Sequence, residues 1–315
     1  MKYFFLLFVF LLNSFLLSAQ TKIPSYYAQQ KSFNDSLKNI IIQSGLDSAF
    51  NAGEDGMEKI SFAVIDLTMK SPVIGGVNME NFIYPASVYK MYVAMEILKQ
   101  VSNNEYSLYK SYVVKFPNDV DHASEISWDP RPLLRDGDTV TVNYLLDLMI
   151  TRSDNSAANC LIDIAGRKNI NNTMRENGWH GSEVTRKFLS RKLEDPGYDT
   201  VASAMTNALH GADFMYKVYT NKLINPWVSQ QIKVLLGRQL DTAKLSAGLP
   251  RATMFYHKSG WWSYFTNDVG IVDDGTVKYI ISLFTPVKEE TVRQRMKEVS
   301  VRVYELMKRR YDSTK

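Results

Sequence analysis

Apolar residues recur at helical spacing in some stretches of this chain and at strand spacing in others. Phe33 to Ser44 carries Leu37, Ile40 and Ile41 on one side, which predicts an amphipathic helix. Ile60 to Leu67 is a β-rich apolar run, and Val73 to Val77 can pair with it across the turn at Met69–Pro72. Tyr84-Pro85-Ala86 breaks that pattern. From Ser87 the spacing turns helical, with Val88, Met91, Met95 and Leu98 on one stripe. Val142, Leu145, Leu146, Met149 and Ile150 repeat the helical pattern behind Thr141, a suitable N-cap. Further helices are predicted over Ala157–Ile164 and Val201–Tyr219. Beyond Pro250 strands return, at Thr253–Ser259, Thr266–Val272 and Lys278–Thr285, the last two joined at an Asp274-Gly275 hairpin signal. A helix over Glu289–Arg309 closes the chain.

This order predicts an α/β (α+β) fold, in which strands from both chain ends form one antiparallel sheet flanked by helices. The mainly helical middle forms a second lobe. The sheet lobe is expected over about 30–86 and 225–315, the helical lobe over about 87–224, and both belong to one catalytic domain spanning 20–315. Lys2, the apolar stretch Phe4–Leu17 and the small pair Ser18-Ala19 read as a secretory signal peptide over 1–19. The run is short for a membrane span, although an uncleaved anchor is the competing reading. A periplasmic or secreted location follows, with no membrane span after cleavage. No Cys follows the cleavage region, which argues against a lipid anchor.

At 315 residues and 45% hydrophobic content, the chain can bury a large core. Its net charge of +4 is spread among acids and forms no concentrated basic patch, so no nucleic-acid partner is expected. Cys160 is the only cysteine and lies in an apolar helical run, which predicts a packed thiol and no internal disulfide. His122, His180, His210 and His257 are far apart and lack metal-ligand spacing. There is no glycine-rich phosphate loop or nucleophile-elbow motif. No metal or cofactor is expected, and the protein is expected to act as a monomer on a small-molecule substrate.

Ser-x-x-Lys occurs twice, as Ser87-Val88-Tyr89-Lys90 and as Ser107-Leu108-Tyr109-Lys110. Only Ser87 stands where a broken strand region becomes an apolar helix, so its hydroxyl gains the free N–H groups of a helix start. Lys90 falls on the same helix face. A serine needs a base to become a nucleophile, and a lysine buried near another cation can supply a neutral amine. Ser107 lies in a polar, poorly periodic stretch and reads as surface. Ser153-Asp154-Asn155 stands between two helices and reads, taken alone, as capping chemistry. Lys258-Ser259-Gly260 lies inside a strand, where the glycine suggests a close backbone approach.

Together, in this order, these three motifs resemble the S-x-x-K, S-D-N and K-T-G set of class A β-lactamases and related penicillin-binding proteins. The likeness extends over roughly residues 30–310. It includes Asp136-Gly137-Asp138-Thr139-Val140-Thr141, which leads into the helix pair ending near Asn159, and the strand Phe62–Leu67. The resemblance implies an exported serine hydrolase acting on a β-lactam or a peptidoglycan-type peptide. Ser87 would be the nucleophile, Lys90 its proton acceptor and Ser153 a proton relay. Lys258 and Ser259 would hold a substrate carboxylate, with Gly260 in the same motif. Asn155 would bind a substrate amide, and the backbone N–H groups of Ser87 and Trp261 would form the oxyanion hole.

One departure stands out. Class A enzymes activate the deacylating water with a glutamate on a loop, whose edges here are Val184-Thr185-Arg186 and Asp199-Thr200. A count from Arg186 puts a basic residue near that position, and the loop is short. Glu194 is the nearest acid but comes several places late. It reads first as a solvated loop acid or a partner of Arg191, and second as the deacylation base. Ser259 replaces the usual threonine yet keeps the hydroxyl. Trp261 and Trp262 add bulk that either narrows the substrate range or fills the strand edge.

Overall fold

The computed structural model describes residues 23–124 and 126–313, so the leader expected over 1–19 lies outside the described residues. Six strands form the main sheet: β1 (Ala28–Gln29), β4 (Ser61–Asp66), β5 (Val73–Val77), β8 (Met254–Trp262), β9 (Phe265–Asp273) and β10 (Lys278–Thr285). Their order is β1-β5-β4-β10-β9-β8, antiparallel throughout except for β1 beside β5. Strands from the two chain ends meet where Ile281 of β10 pairs with Val64 of β4. Every residue of β4 is buried, which explains its continuous apolar character at the centre of the sheet. Two short hairpins, β2 (Ala49–Asn51) with β3 (Met57–Lys59) and β6 (Ser111–Val113) with β7 (Thr139–Thr141), lie outside it.

Helices α1 (Lys31–Gln43) and α8 (Glu289–Asp312) supply Phe33, Leu37, Val292, Met296 and Val303 to a core shared with Phe62, Val64 and Ile281. A larger core gathers the helical part around α2 (Lys90–Ser102), which packs on α3 (Val142–Thr151), α4 (Asn155–Ala165), α5 (Arg167–Glu176) and α7 (Pro226–Leu236). Helix α6 (Ala208–Tyr219) joins this core to β4, β9 and β10. Ten residues of α2 are buried, Lys90, Glu96 and Gln100 among them, so the helix is enclosed almost all round, as a central helix must be. Thr141 caps α3 by accepting a hydrogen bond from the Tyr144 N–H at 3.2 Å. No helix among the described residues is long and apolar enough to cross a membrane.

The helix predicted over Val201–Tyr219 starts seven residues later. Met205 and Thr206 instead make antiparallel bridges to Glu183 and Ile83, and Asn207 caps the helix through the His210 N–H at 2.9 Å. Two helices escaped the periodicity. Helix α5 shows only a narrow apolar stripe, Ile170 and Met174, between polar neighbours. Helix α7 carried a readable signal, an Asn225 cap followed by Pro226 at the first turn.

Candidate active site

The element that carries Ser87 begins with strained backbone. Ala86 has φ +46°, a conformation that costs an L-residue energy, and residues Ala86–Tyr89 form a 3₁₀ turn leading into α2. Ser87 is buried at 7% exposure, three positions before Lys90, the first residue of α2. Gly260 of β8 packs against this turn. A Cβ built on it would stand 2.6 Å from the Ser87 nitrogen and 2.8 Å from the Val88 nitrogen, so only glycine fits. The strand backbone therefore lies directly beside the Ser87 N–H, with Trp261 next along it.

Lys90 and Lys258 are both fully buried and both reach Ser153. The Lys90 ammonium donates to the Ser153 carbonyl at 2.5 Å, to the Ser153 hydroxyl at 3.3 Å and to Asn155 Oδ1 at 2.7 Å. Lys258 donates to the same hydroxyl at 3.0 Å and to the Ser259 carbonyl at 2.7 Å. Ser153 thus joins the two cations, and it does so with φ +64°, a second left-handed non-glycine residue in the cluster. Its neighbour Asp154 does the capping, accepting from the Ala157 N–H at 2.7 Å and pairing with Arg152 at 2.7 Å. Capping and site chemistry thus share one motif but fall on different residues.

The other ends of the two binding motifs face carboxylates that the sequence reasoning did not single out. Asn155 donates its side-chain amide to Asp121 at 3.1 Å, and Asp121 also accepts the backbone N–H of Asn155 at 2.7 Å. The Ser259 hydroxyl donates to Asp241 at 2.7 Å. Asp241 pairs in turn with Lys244, itself almost fully buried and paired with Glu289 at 2.6 Å. An acid three residues ahead of a lysine, in a stretch leading into β8, was the only sequence signal for this chain of charges.

The loop between Val184 and Asp199 is stapled down by ion pairs. Glu194 is neither solvated nor a partner of Arg191. It accepts from Arg167 at 2.5 Å and from the Lys187 N–H at 2.9 Å, with its side chain fully buried, while Arg191 donates to the carbonyls of Asp199 and Val201. Lys187, the basic residue near the expected glutamate position, is buried and pairs with Asp163 at 2.5 Å and Asp195 at 3.2 Å. The residue over the Lys90 ammonium is Phe188, whose ring centroid is 4.3 Å from Nζ. That ring stacks on Tyr89 at 4.9 Å, and its backbone N–H is held by Asn159 Oδ1 at 2.7 Å.

Ser107 is exposed, as its sequence context predicts. Cys160 is buried, and that burial pushes its thiol pKa up to about 12, so it packs as a small apolar side chain. His257 is bound to Asp268 at 2.8 Å and His210 to Ser182 at 2.7 Å, both within the interior.

A mostly antiparallel sheet joined to a helical half, with Ser, Lys and Ser-Lys motifs gathered at their junction, defines the β-lactamase/transpeptidase-like fold. Solved structures agree. A β-lactamase from Sphaerobacter thermophilus superposes with a TM-score of 0.72 at 16% identity, covering 87% of this chain and 97% of that one. A structure of PBP-A gives 0.73 at 17% identity, covering 91% and 100%. A β-lactamase from Bacteroides uniformis is 28% identical over 232 residues, 65% of this chain and 71% of its relative. The model of the β-lactamase enzyme family matches residues 43–307, and the chain belongs to that family of hydrolases.

Proposed function

We propose that this protein is an exported serine hydrolase that opens a β-lactam amide through an acyl-serine intermediate. The observation that carries the reading is the Lys90–Ser153–Lys258 cluster, buried beside the turn that bears Ser87. Ser87 attacks the carbonyl, and Lys90 takes its proton directly or through water. Once it has taken the Ser87 proton, Lys90 is an ammonium at the Ser153 hydroxyl, so Ser153 can give its own proton to the departing nitrogen and take one back from Lys90. The N–H groups of Ser87 and Trp261 stabilise the oxyanion, each worth about 3 kcal/mol of barrier. Lys258 supplies the positive charge that draws substrate in, and Asn155 orients the acyl side.

Slow release is favoured by one specific arrangement. From the loop side, the apolar ring of Phe188 lies over Lys90, while Glu194 is paired with Arg167. A penicillin-binding D,D-peptidase or esterase, or a lactam-binding sensor without turnover, is therefore the second reading. A PBP-A variant of the same fold is described as an acyl-enzyme complex with penicillin G, which is consistent with such behaviour on this scaffold.

Mixing purified protein with a chromogenic cephalosporin, while following colour and intact mass, tests both readings. Sustained colour supports a lactamase, and a single burst with a stable adduct supports the slow acyl-enzyme. Ser87→Ala should abolish colour and adduct, whereas Ser107→Ala should leave them unchanged. An adduct that survives Ser87→Ala would remove the proposed nucleophile.

A further inference from the structure

Ser153 is the residue on which both buried ammonium groups converge, and its own backbone is strained, with φ +64°. A left-handed non-glycine residue persists only where its surroundings hold it there. The two side chains that flank Ser153 provide that hold. Arg152 donates to Asp154 Oδ2 from Nε at 3.2 Å and from Nη2 at 2.7 Å, so the residues before and after Ser153 are tied to each other across it. The other oxygen of Asp154 accepts the Ala157 N–H at 2.7 Å, which fastens one end of the tie to the start of α4.

Arg152 carries the tie on to the loop between β6 and β7. Its Nη1 donates to the Arg131 carbonyl at 2.6 Å and lies 3.5 Å from Asp129, and its Nη2 donates to the Pro132 carbonyl at 2.9 Å. Each guanidinium nitrogen thus faces an acceptor, and the side chain is only 2% exposed. Arg131 in turn pairs with Asp129 at 2.8 Å and with Asp147 of α3 at 2.5 Å, so the carbonyls that Arg152 grips are themselves fastened to α3. Arg131, Arg152 and Arg238 stand against Asp129, Asp147 and Asp154, so the cluster is charge-balanced. What it offers the site is a fixed geometry.

We propose that Arg152 is the positioning residue of the proton relay, holding Ser153 in the strained turn that sets its hydroxyl between Lys90 and Lys258. The inference rests on the proposed roles of Ser87 and Ser153. With the tie cut, the backbone at Ser153 relaxes toward an ordinary conformation and the hydroxyl moves off both ammonium groups. Ser87 and Lys90 stand on another element, at the start of α2, so attack by Ser87 loses less. Delivery of a proton to a departing nitrogen is the step that suffers. When a lactam opens, the bond from Ser87 Oγ to carbon forms, the carbon–nitrogen bond breaks, and the nitrogen takes the Ser153 proton, which Lys90 replaces. A fluorophosphonate instead loses fluoride, which leaves with its electron pair and needs no proton.

The test compares penicillin G with a neutral fluorophosphonate, reading for each the rate of Ser87 adduct formation by intact mass. Arg152→Lys keeps the positive charge, but a single ammonium cannot span the Asp154 carboxylate and two carbonyls as the planar fork does. It should slow penicillin acylation about tenfold or more, while fluorophosphonate labelling changes by less than about twofold. A merely structural role would lower both rates in proportion. Should Arg152→Lys fail to fold, Asp129→Asn removes a charged partner of both arginines and should shift the ratio in the same direction by a smaller factor. A folded variant in which the two rates keep their wild-type ratio, whether unchanged or equally reduced, overturns the inference and leaves the nucleophile assignment standing. If neither reagent labels Ser87 in the wild-type protein, that assignment falls and takes the inference with it.

Discussion

The Lys90 ammonium lies 4.3 Å from the centre of the Phe188 ring, in the hollow between α2 and the Val184–Asp199 loop. A cation over an aromatic face is held electrostatically without any proton acceptor. The ring contact adds to the hydrogen bonds that Lys90 donates to Ser153 and Asn155, and the ring itself offers no carboxylate.

Replacing that ring should change the second half of the reaction. Phe188→Glu would put a carboxylate beside Lys90, and a positioned general base is worth about a hundredfold or more. The expected result is a shorter-lived acyl adduct in an intact-mass time course, by about tenfold at least, with Phe188→Ala giving no such gain. Equal lifetimes in both variants would show that release is limited elsewhere.

Glu194 is expected to matter for stability before chemistry. Its buried pair with Arg167 also anchors the Lys187 N–H, so Glu194→Gln leaves a buried guanidinium with only Asp195, 40% exposed, as a charged partner. Breaking a buried pair costs about 3 kcal/mol. Denaturant unfolding should register that loss, while adduct decay should not slow. Slower decay with unchanged stability would restore Glu194 as the deacylation base.

Gly260→Ala tests the close approach of β8 to the nucleophile turn. The added methyl carbon would lie 2.6 Å from the Ser87 nitrogen and 3.1 Å from the Pro85 carbonyl oxygen, both backbone atoms that cannot rotate away. Overpacking of this kind costs about 1–3 kcal/mol. Misplacement of a reacting group by about 1 Å can cost a hundredfold in rate. Acylation should fall much more than stability, and an unimpaired acylation rate would mean the two backbones are not coupled.

The acid side of the stability profile should carry the signature of His210. Burial lowers its pKa from 6.5 to about 3, with a smaller opposing pull from Asp213. Between those values the unfolded chain binds a proton that the native state refuses, so stability rises with pH there and falls on acidification below about pH 6.5. At pH 5 the penalty amounts to about 2 kcal/mol. Chemical denaturation at pH 7.5 and pH 5 should show this loss, and His210→Gln should flatten it. An unchanged slope in the variant would assign the acid sensitivity to other groups.

The strands β4, β5, β8, β9 and β10, and the helices α1, α2, α3, α4 and α8, were legible because each carries a period set by its own burial. Val142 to Ile150 needs no distant partner to read as a helix, nor does Lys278 to Thr285 to read as a strand. The loop from Val184 to Asp199 was opaque. Its residues are ordered by Arg167, Asp163 and Asn159, which belong to other elements, and no local period records an ion pair.

The chemistry divides along the same line. Sequence by itself singled out the candidate side chains, since Ser87, Lys90, Ser153, Asn155, Lys258 and Gly260 stand in ordered motifs whose spacing is a local property. It also determined the layered fold, through hydrophobic period. Only the tertiary structure decided what surrounds those groups: Phe188 over Lys90, Asp121 on Asn155, Asp241 on Ser259 and Arg167 on Glu194. Each joins residues at least a turn of chain apart, and electrostatic and ring contacts depend on distance in space, a quantity that spacing along a chain does not contain.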